Sequence, residues 1–282
     1  MARNNSNIGR ESPPRGNAGP MTAAGLAAAI PDGALLSLAP DYAGAPMAVI
    51  RELVRRPARG LRLLGVPQLG LAADILIGAG CVAEIETAAI SLGEAGPAPC
   101  FQRHWRERRI TVRDSTCPAI HSALQAAEKG LPYLPVRGIL GTDLLAARPD
   151  WLVQDNPFPP HDPLVLVPAL RPDIALFHAA LADDAGNVWI GVRRELLLMA
   201  HAALTTLVSF ERLHQGSLLA DPALAAGTIA SLYIGEVAAA TGGAAPTALW
   251  GERAEDAAIA AYAEAARTEE GFARWLHGWL EA

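Results

Sequence analysis

Glu94 is the residue whose type and setting best suit a chemical role, because it lies between Gly93 and Gly96 in a short loop. Glycines allow a backbone to approach a ligand closely, and a carboxylate held there can have its pKa adjusted by desolvation. Such a carboxylate can take up or release a proton during a reaction. We therefore assign Glu94 as the candidate catalytic residue. A solvated loop acid is the alternative that the local sequence leaves open.

Two other loops contain glycines, hydroxyls and carboxylates that could bind a substrate. The candidate substrate-binding residues are Asp41, Tyr42 and Gly44 in the first loop, and Gly138, Thr142 and Asp143 in the second. Their polar side chains and the backbone N–H groups at the glycines can hydrogen-bond to a ligand. An ordinary turn after a buried strand is the alternative interpretation of the second loop.

The sequence predicts no metal site. Cys81, Cys100 and Cys117 are too few and too irregularly spaced for a zinc site or a disulfide framework. The seven histidines are scattered, and His201 is expected to pack on an apolar helix face. The glycine-rich nucleotide-binding motifs and the Gly-x-Ser-x-Gly elbow of serine hydrolases are absent from the sequence.

Composition limits the class of protein and its partners. The chain has 282 residues, of which 51% are hydrophobic, which is enough to bury a sizeable core. A net charge of −6 argues against nucleic-acid binding. The most apolar runs, 196–210 and 223–235, are shorter than a membrane span, so no membrane association is predicted. The low cysteine usage favours a cytoplasmic location.

The composition changes once along the chain. Residues 1–20 are rich in Asn, Ser, Pro, Gly and Arg and are predicted to form a disordered tail. Residues 21–282 contain no convincing linker and are predicted to form a single α/β domain with a helical C-terminus from about residue 252.

Short apolar runs alternate with helical patterns through the first half of the chain. Strands are predicted at 34–39, 61–66, 81–90, 110–113 and Tyr133–Val136, separated by helices at 47–56, 71–78, 99–109 and 118–128. This alternation predicts an open, mostly parallel sheet with helices on both faces. The loops 40–46, 67–70, 91–98 and 137–143 would then converge at one edge of the sheet, where such folds bind ligands.

The pattern lapses over 138–162, a proline-rich excursion long enough to suggest a functional loop. Strands are predicted again at 164–167 and 174–179. The run Asp-Asp-Ala-Gly-Asn at 183–187 predicts a hairpin turn, followed by a helix at 194–203 and a strand at 205–210.

The order of these pieces resembles that of the A chain of family I coenzyme A transferases, in the glutaconate-type branch. The segments that carry the resemblance are 30–53, 78–101, 131–145, 172–187 and 242–247. The chain differs from the family pattern in the loop 39–45, which lacks a glycine-rich run, and at Ala245, where the family usually has His. A gap-free match also places the family's usual acid at Gly93, one position before Glu94.

The resemblance implies an open α/β fold and a partnership of this chain, as the A subunit, with a B subunit in a heterodimer or an A2B2 heterotetramer. It implies transfer of CoA between carboxylic acids through a glutamyl-CoA thioester carried by the B subunit. Coenzyme A and acyl-CoA would be substrates, with no permanently bound cofactor. This chain would build the acid-binding half of the site.

Two alternatives stay open. A branch that is similar to these transferases hydrolyses ring carbon–carbon bonds of CoA-linked steroid fragments and uses an acid of the A subunit in about this loop. On that hypothesis Glu94 is a base. The third hypothesis is a catalytically silent subunit that binds acyl-CoA, for which the altered loop 39–45 is the support.

Overall fold

Apolar segments rich in Leu, Ile, Val and Ala form the strands of a large sheet in the computed structural model, which describes residues 21–282. Within that range the strands are β1 (Leu35–Leu38), β2 (Leu61–Gly65), β3 (Val82–Thr87), β4 (Thr111–Asp114), β5 (Tyr133–Val136), β6 (Leu152–Asp155), β7 (Pro163–Pro168), β8 (Ile174–Asp183), β9 (Val188–Trp189), β10 (Thr205–His214), β11 (Thr228–Ile229) and β12 (Glu236–Ala239). The predicted disordered tail, residues 1–20, lies outside the described residues.

Helices separate most of the strands. They are α1 (Ala23–Ala28), α2 (Met47–Arg55), α3 (Leu71–Gly78), α4 (Pro99–Arg106), α5 (Cys117–Glu128), α6 (Leu144–Ala147), α7 (Arg194–Ala202), α8 (Ala258–Ala265) and α9 (Glu269–Glu281). Local sequence explains several starts: Thr116 and Thr268 each cap a helix by accepting a hydrogen bond from a backbone N–H of the first turn.

The large sheet has the parallel order β12–β10–β8–β1–β2–β3–β4 among the described strands. The chain moves outward from β1 through β2 to β4 and later returns to the other side of β1 as β8. This reversal creates a switch point between β1 and β8, where loops on the carboxyl side of the sheet separate and leave a crevice. The predicted mostly parallel sheet is confirmed.

Helices cover both faces of the sheet, as predicted. One core cluster packs α1, α2, α3, α4, α8 and α9 against the sheet, and a second packs α5 and α7 against the other face. The strand β8 is buried along its whole length, as expected for a central strand with both faces covered.

The predicted hairpin turn at 183–187 is confirmed, since β8 and β9 pair in antiparallel fashion around it. The Asp183 side chain shapes the turn. Its Oδ1 accepts a hydrogen bond from the backbone N–H of Asn187 at 2.9 Å, and its Oδ2 accepts one from the N–H of Leu218 at 2.9 Å.

The prediction of Tyr133–Val136 as a fifth parallel strand is wrong. This strand, β5, belongs to a separate antiparallel sheet of order β5–β7–β6, in which Leu134 pairs with Val167. Pro135 has no N–H to donate, so it suits an edge strand better than the interior of a ladder. The exposure of alternate residues in β5 also fits a sheet with one solvated face.

The small sheet packs on α5 and is joined to the large sheet by buried Arg148. The guanidinium forms ion pairs of 2.9 Å with Glu86 on β3 and with Asp150, and it donates a 3.0 Å hydrogen bond to the carbonyl of Asp114 at the end of β4. It also lies 4.2 Å from the centre of the Trp151 ring. The excursion 138–162, expected to be irregular, therefore contains α6 and β6 in defined positions.

None of the helices within residues 21–282 combines the length and apolar character needed to cross a membrane.

Candidate active site

Three of the four loops predicted to converge do adjoin at the carboxyl edge of the large sheet. The N–H of Leu71, after the second loop, donates to Asp41 Oδ2 in the first loop at 2.8 Å. The N–H of Leu69 donates to the carbonyl of Ala89 in the third loop at 2.9 Å. Loops 39–46, 66–70 and 88–98 therefore form one continuous rim.

The fourth loop, 137–143, leaves β5 of the small sheet and not the large parallel sheet, so its predicted place in the rim is wrong. The cause is the misassigned strand that precedes it. Gly138, Thr142 and Asp143 are exposed. The Thr142 hydroxyl donates to the carbonyl of Ile139 at 2.7 Å, and Asp143 precedes the short helix α6. Substrate binding by these three residues stays a prediction.

Glu94 lies in a one-turn 3₁₀ helix, Gly93–Ala95, at the tip of the third loop. A 2.8 Å hydrogen bond from the N–H of Leu92 to the carbonyl of Gly96 closes the turn. The side chain is exposed, and within the described chain its carboxylate makes no hydrogen bond or ion pair. Glu94 is thus presented to solvent at the rim, and its catalytic role stays a prediction.

The carboxylate of Asp41 points into the molecule. Its Oδ2 accepts the N–H at the first residue of α3, while Oδ1 is buried without a hydrogen-bond partner among the described residues. The site requires Gly70, because a Cβ there would lie 2.1 Å from Asp41 Oδ2. Burial raises the pKa of Asp41 to about 7, although the Leu71 N–H lowers it. Substrate binding by Asp41 stays a prediction.

Gly44 is required by a close approach of two backbones. It has φ +87°, and a Cβ would lie 2.1 Å from the carbonyl oxygen of His178 on β8. The Gly44 carbonyl in turn accepts a 2.8 Å hydrogen bond from the His178 N–H. The first loop is thereby fastened to β8 at the switch point.

The His178 side chain forms a buried polar link that sequence reasoning missed. Its Nδ1 lies 2.8 Å from the Ser209 hydroxyl and its Nε2 lies 3.1 Å from Glu211 Oε2, both on β10. Burial lowers the pKa of His178, opposed by Glu211. His178 and Ser209 are fully buried, so the trio joins β8 to β10. The available sequence signal for this link is the pair Ser209 and Glu211, which are polar residues at alternate positions of an otherwise apolar run.

Tyr42 is an exposed residue of the first loop, with 38% of its surface accessible. Its ring contacts Arg193, which precedes α7 and which sequence reasoning also missed.

His201, predicted to be packed, lies half-buried 3.0 Å from Glu128 and against the Tyr233 ring. In the part of the chain that the structure describes, no group of three His, Cys, Asp or Glu side chains could hold a metal ion.

The sheet order and the rim define an α/β chain with a crevice at a switch point. No model of a known protein family matches it. The chain is 28% identical over 254 residues to the A chain of glutaconate CoA-transferase from Acidaminococcus fermentans, covering 83% of the chain and 78% of that protein. It is 30% identical over 250 residues to the cholesterol ring-cleaving hydrolase IpdA subunit of Mycobacterium tuberculosis, covering 83% of each.

Solved structures agree with these matches. The fold superimposes on the A. fermentans glutaconate coenzyme A-transferase with a TM-score of 0.83 and 24% identity, over 92% of this chain and 88% of that one. A variant of the decarboxylase AibA/AibB gives a TM-score of 0.80 and 28% identity, over 93% and 97%. The chain belongs to the family I coenzyme A transferases, in the glutaconate-type branch. It spans 37% and 59% of the length of two other curated relatives that it matches.

Replacing Gly44 by alanine is expected to destabilise the protein by on the order of 3 kcal/mol, from the left-handed backbone and the clash with β8. Chemical denaturation measures the loss. Gly33→Ala is the matched control, since Gly33 has φ +75° but nothing within 4 Å of an added Cβ. It should lose only about 1 kcal/mol. Equal losses in the two variants would contradict the proposed close approach.

Asp41→Asn is expected to change how stability depends on pH. The folded-state pKa of Asp41 is raised from 3.8 to about 7, so the folded protein binds more protons than the unfolded chain between these values. Stability is then lost as pH rises from about 4 to 7. The variant lacks this loss, so its melting temperature should rise relative to the parent's between pH 4 and 7. Above pH 7 the two curves of melting temperature against pH should run parallel.

Asp162→Asn provides the control for this pH series. Hydrogen bonding to Arg137 lowers the pKa of Asp162 to about 2, so its contribution is lost only below pH 4. Its melting temperatures should run parallel to the parent's from pH 4.5 to 7. A constant offset for Asp41→Asn over the same range would rule out a raised pKa at Asp41.

Proposed function

We propose that this chain is the A component of a two-subunit CoA-transferase that moves coenzyme A between carboxylic acids. The observation that carries the proposal is the incomplete rim. Loops 39–46, 66–70 and 88–98 contain two carboxylates, Asp41 and Glu94. The first points inward, and the second is exposed with no group in the described chain to hold it. A covalent mechanism then needs a nucleophile from a second chain.

The reaction proposed for the complex divides one exchange into easier steps. A glutamate of the B subunit first attacks the acyl-CoA carbonyl, the C–S bond breaks, and an acyl-glutamyl anhydride and CoA thiolate form. The thiolate then attacks the glutamyl carbonyl of the anhydride, releasing the first carboxylate and leaving a glutamyl-CoA thioester. The acceptor acid regenerates the glutamate by the reverse sequence, so no water or oxidant is consumed.

In this proposal the chain binds and orients the acid. Tyr42 presents a partly exposed ring and hydroxyl at the switch point, and the backbone around Gly44 is held rigidly against β8. A rigid rim places the carboxylate for attack without ordering costs at each turnover. Coenzyme A and acyl-CoA act as substrates, and the complex is proposed to be a cytoplasmic A2B2 heterotetramer. The names of the relatives as subunits support a partner.

A second candidate function is hydrolysis of a carbon–carbon bond in a cyclic acyl-CoA, with Glu94 as the base. The 30% identity to the IpdA subunit over most of both chains favours it. On this hypothesis the partner must cover Glu94, because its carboxylate is exposed in the isolated chain. The catalytically silent acyl-CoA-binding subunit remains the third hypothesis, supported by the inward-facing Asp41.

The purified chain is expected to have no CoA-transferase activity alone and to gain it when the B subunit is added. Trapping with borohydride in the presence of acyl-CoA should reduce a glutamyl thioester on the partner, located by peptide mass spectrometry. Native mass spectrometry of the mixture should give an A2B2 mass. Full activity without the partner, or a modified glutamate confined to this chain, would overturn the two-subunit mechanism.

Glu94→Gln separates the two enzyme hypotheses, because the amide keeps the shape of the side chain and removes its basicity. We expect transferase kcat/KM of the complex to fall less than about tenfold, as for a positioning group, whereas loss of a general base costs about 10²-fold or more. Glu107→Gln, on the exposed turn after α4, is a control. A loss of ring-opening activity beyond about 10²-fold, with transferase activity absent in the parent, would establish the hydrolase.

A further inference from the structure

Arg193 lies between two aromatic rings at the switch point of the large sheet. Its guanidinium carbon is 5.0 Å from the centre of the Tyr42 ring and 5.4 Å from that of the Trp250 ring. Tyr42 comes from the loop after β1, and Trp250 from the segment after β12. Stacked rings restrict an arginine fork while leaving its N–H groups free to donate.

The Arg193 guanidinium has no acceptor of its own. Within residues 21–282 it takes part in no ion pair or side-chain hydrogen bond, and its Nε is buried without a partner. The Nη groups are not among the buried unpaired atoms, so they remain accessible. Arg148 shows the contrast, since that buried arginine has two carboxylates and a carbonyl around it. The accessible Nη groups can therefore donate to an acceptor that arrives with a ligand.

The surroundings of Arg193 suit a small anion. Arg193 is the N-cap residue of the nine-residue helix α7 and makes no side-chain cap, so the positive end of the helix lies beside it. A cavity of about 10 Å³ at this position, room for one water molecule, is lined by Arg193, His178 and Trp250 together with apolar side chains, among them Ala43, Ile190 and Leu249. A ligand of Arg193 therefore binds on the outer side of the guanidinium, between the aromatic rings, and not inside the cavity.

We propose that Arg193 is the receptor for the carboxylate of the acid substrate, bound through its guanidinium fork between Tyr42 and Trp250. This inference rests on the proposed function for the identity of the acid. The shared chemistry is an oxyanion, which a phosphate of coenzyme A also presents. The aromatic rings on either side of the fork favour a carboxylate over a more strongly hydrated phosphate.

The test uses the full chain without its partner and measures binding of propionate, inorganic phosphate and coenzyme A by tryptophan fluorescence. The parent should bind propionate, and Arg193→Met should weaken that binding at least about tenfold, the loss expected for a charge-assisted hydrogen-bonded pair. Arg193→Lys should recover part of the affinity only, because an ammonium lacks the fork. Trp250→Phe should keep binding but reduce the fluorescence change.

Arg194→Met is the matched control. Arg194 is the next residue and also an arginine, but its guanidinium is exposed and donates to the carbonyl of Ala226 at 3.0 Å. This variant should bind propionate like the parent. Melting temperatures of all variants establish that they are folded. Equal binding by Arg193→Met and the parent, absence of propionate binding by the parent, or a loss confined to phosphate or coenzyme A would each overturn the proposal.

Kinetics with the B subunit separate this inference from the proposed function. In an active complex, Arg193→Met should raise KM for the acid substrate at least about tenfold with a smaller change in kcat, as expected for lost binding. If propionate binding depends on Arg193 but the complex transfers no CoA, the assignment of Arg193 as carboxylate receptor is confirmed and the transferase proposal fails. If the complex transfers CoA and the KM is unchanged in Arg193→Met, the receptor assignment fails alone.

Discussion

The parallel pairing of β1 with β8 is the contact on which the rest of the structure depends. Leu36 and Leu38 lie opposite Ile174 and Leu176, and all four side chains are buried. Two polar groups stabilise the register: the Ser37 hydroxyl donates to the carbonyl of Ile174, and the N–H of Leu35 donates to Asp173 Oδ2. A one-residue slip would turn apolar side chains to the wrong face and break both bonds. The switch point, and hence the crevice, lies between these two paired strands.

Much of the large sheet could be predicted from sequence because its signals are local. The runs around β1, β2 and β10 are short, apolar and separated by helices with recognisable spacing. The small sheet could not be predicted, because the signals for its pairing are not local. Whether Tyr133–Val136 pairs with β4 or with β7 depends on partners far along the chain, and four residues with one proline carry too little pattern to decide. The short strand β12 went unrecognised because Glu236–Ala239 contains one β-branched residue and two alanines, which carry little strand preference.

The position of the rim was predicted in part. Asp41, Tyr42, Gly44 and Glu94 do lie in loops that share the rim, since consecutive parallel strands end at the same edge. Sequence could not show which way each side chain points. Asp41 turns inward because the N–H at the start of α3 provides its partner and Gly70 leaves room for it. Arg193 was missed because its significance comes from Tyr42 and Trp250, which are distant in sequence and meet only in the folded chain.

The small sheet is inserted in the connection from β4 to β8. Its contacts run mainly to α5 and, through Arg148, to the ends of β3 and β4, while the β1–β8 register is held by groups outside it. The entropic cost of closing a loop rises only slowly with the number of residues in the loop. Changes in the length of the loop 156–162, between β6 and β7, are therefore expected to leave the β1–β8 register unchanged.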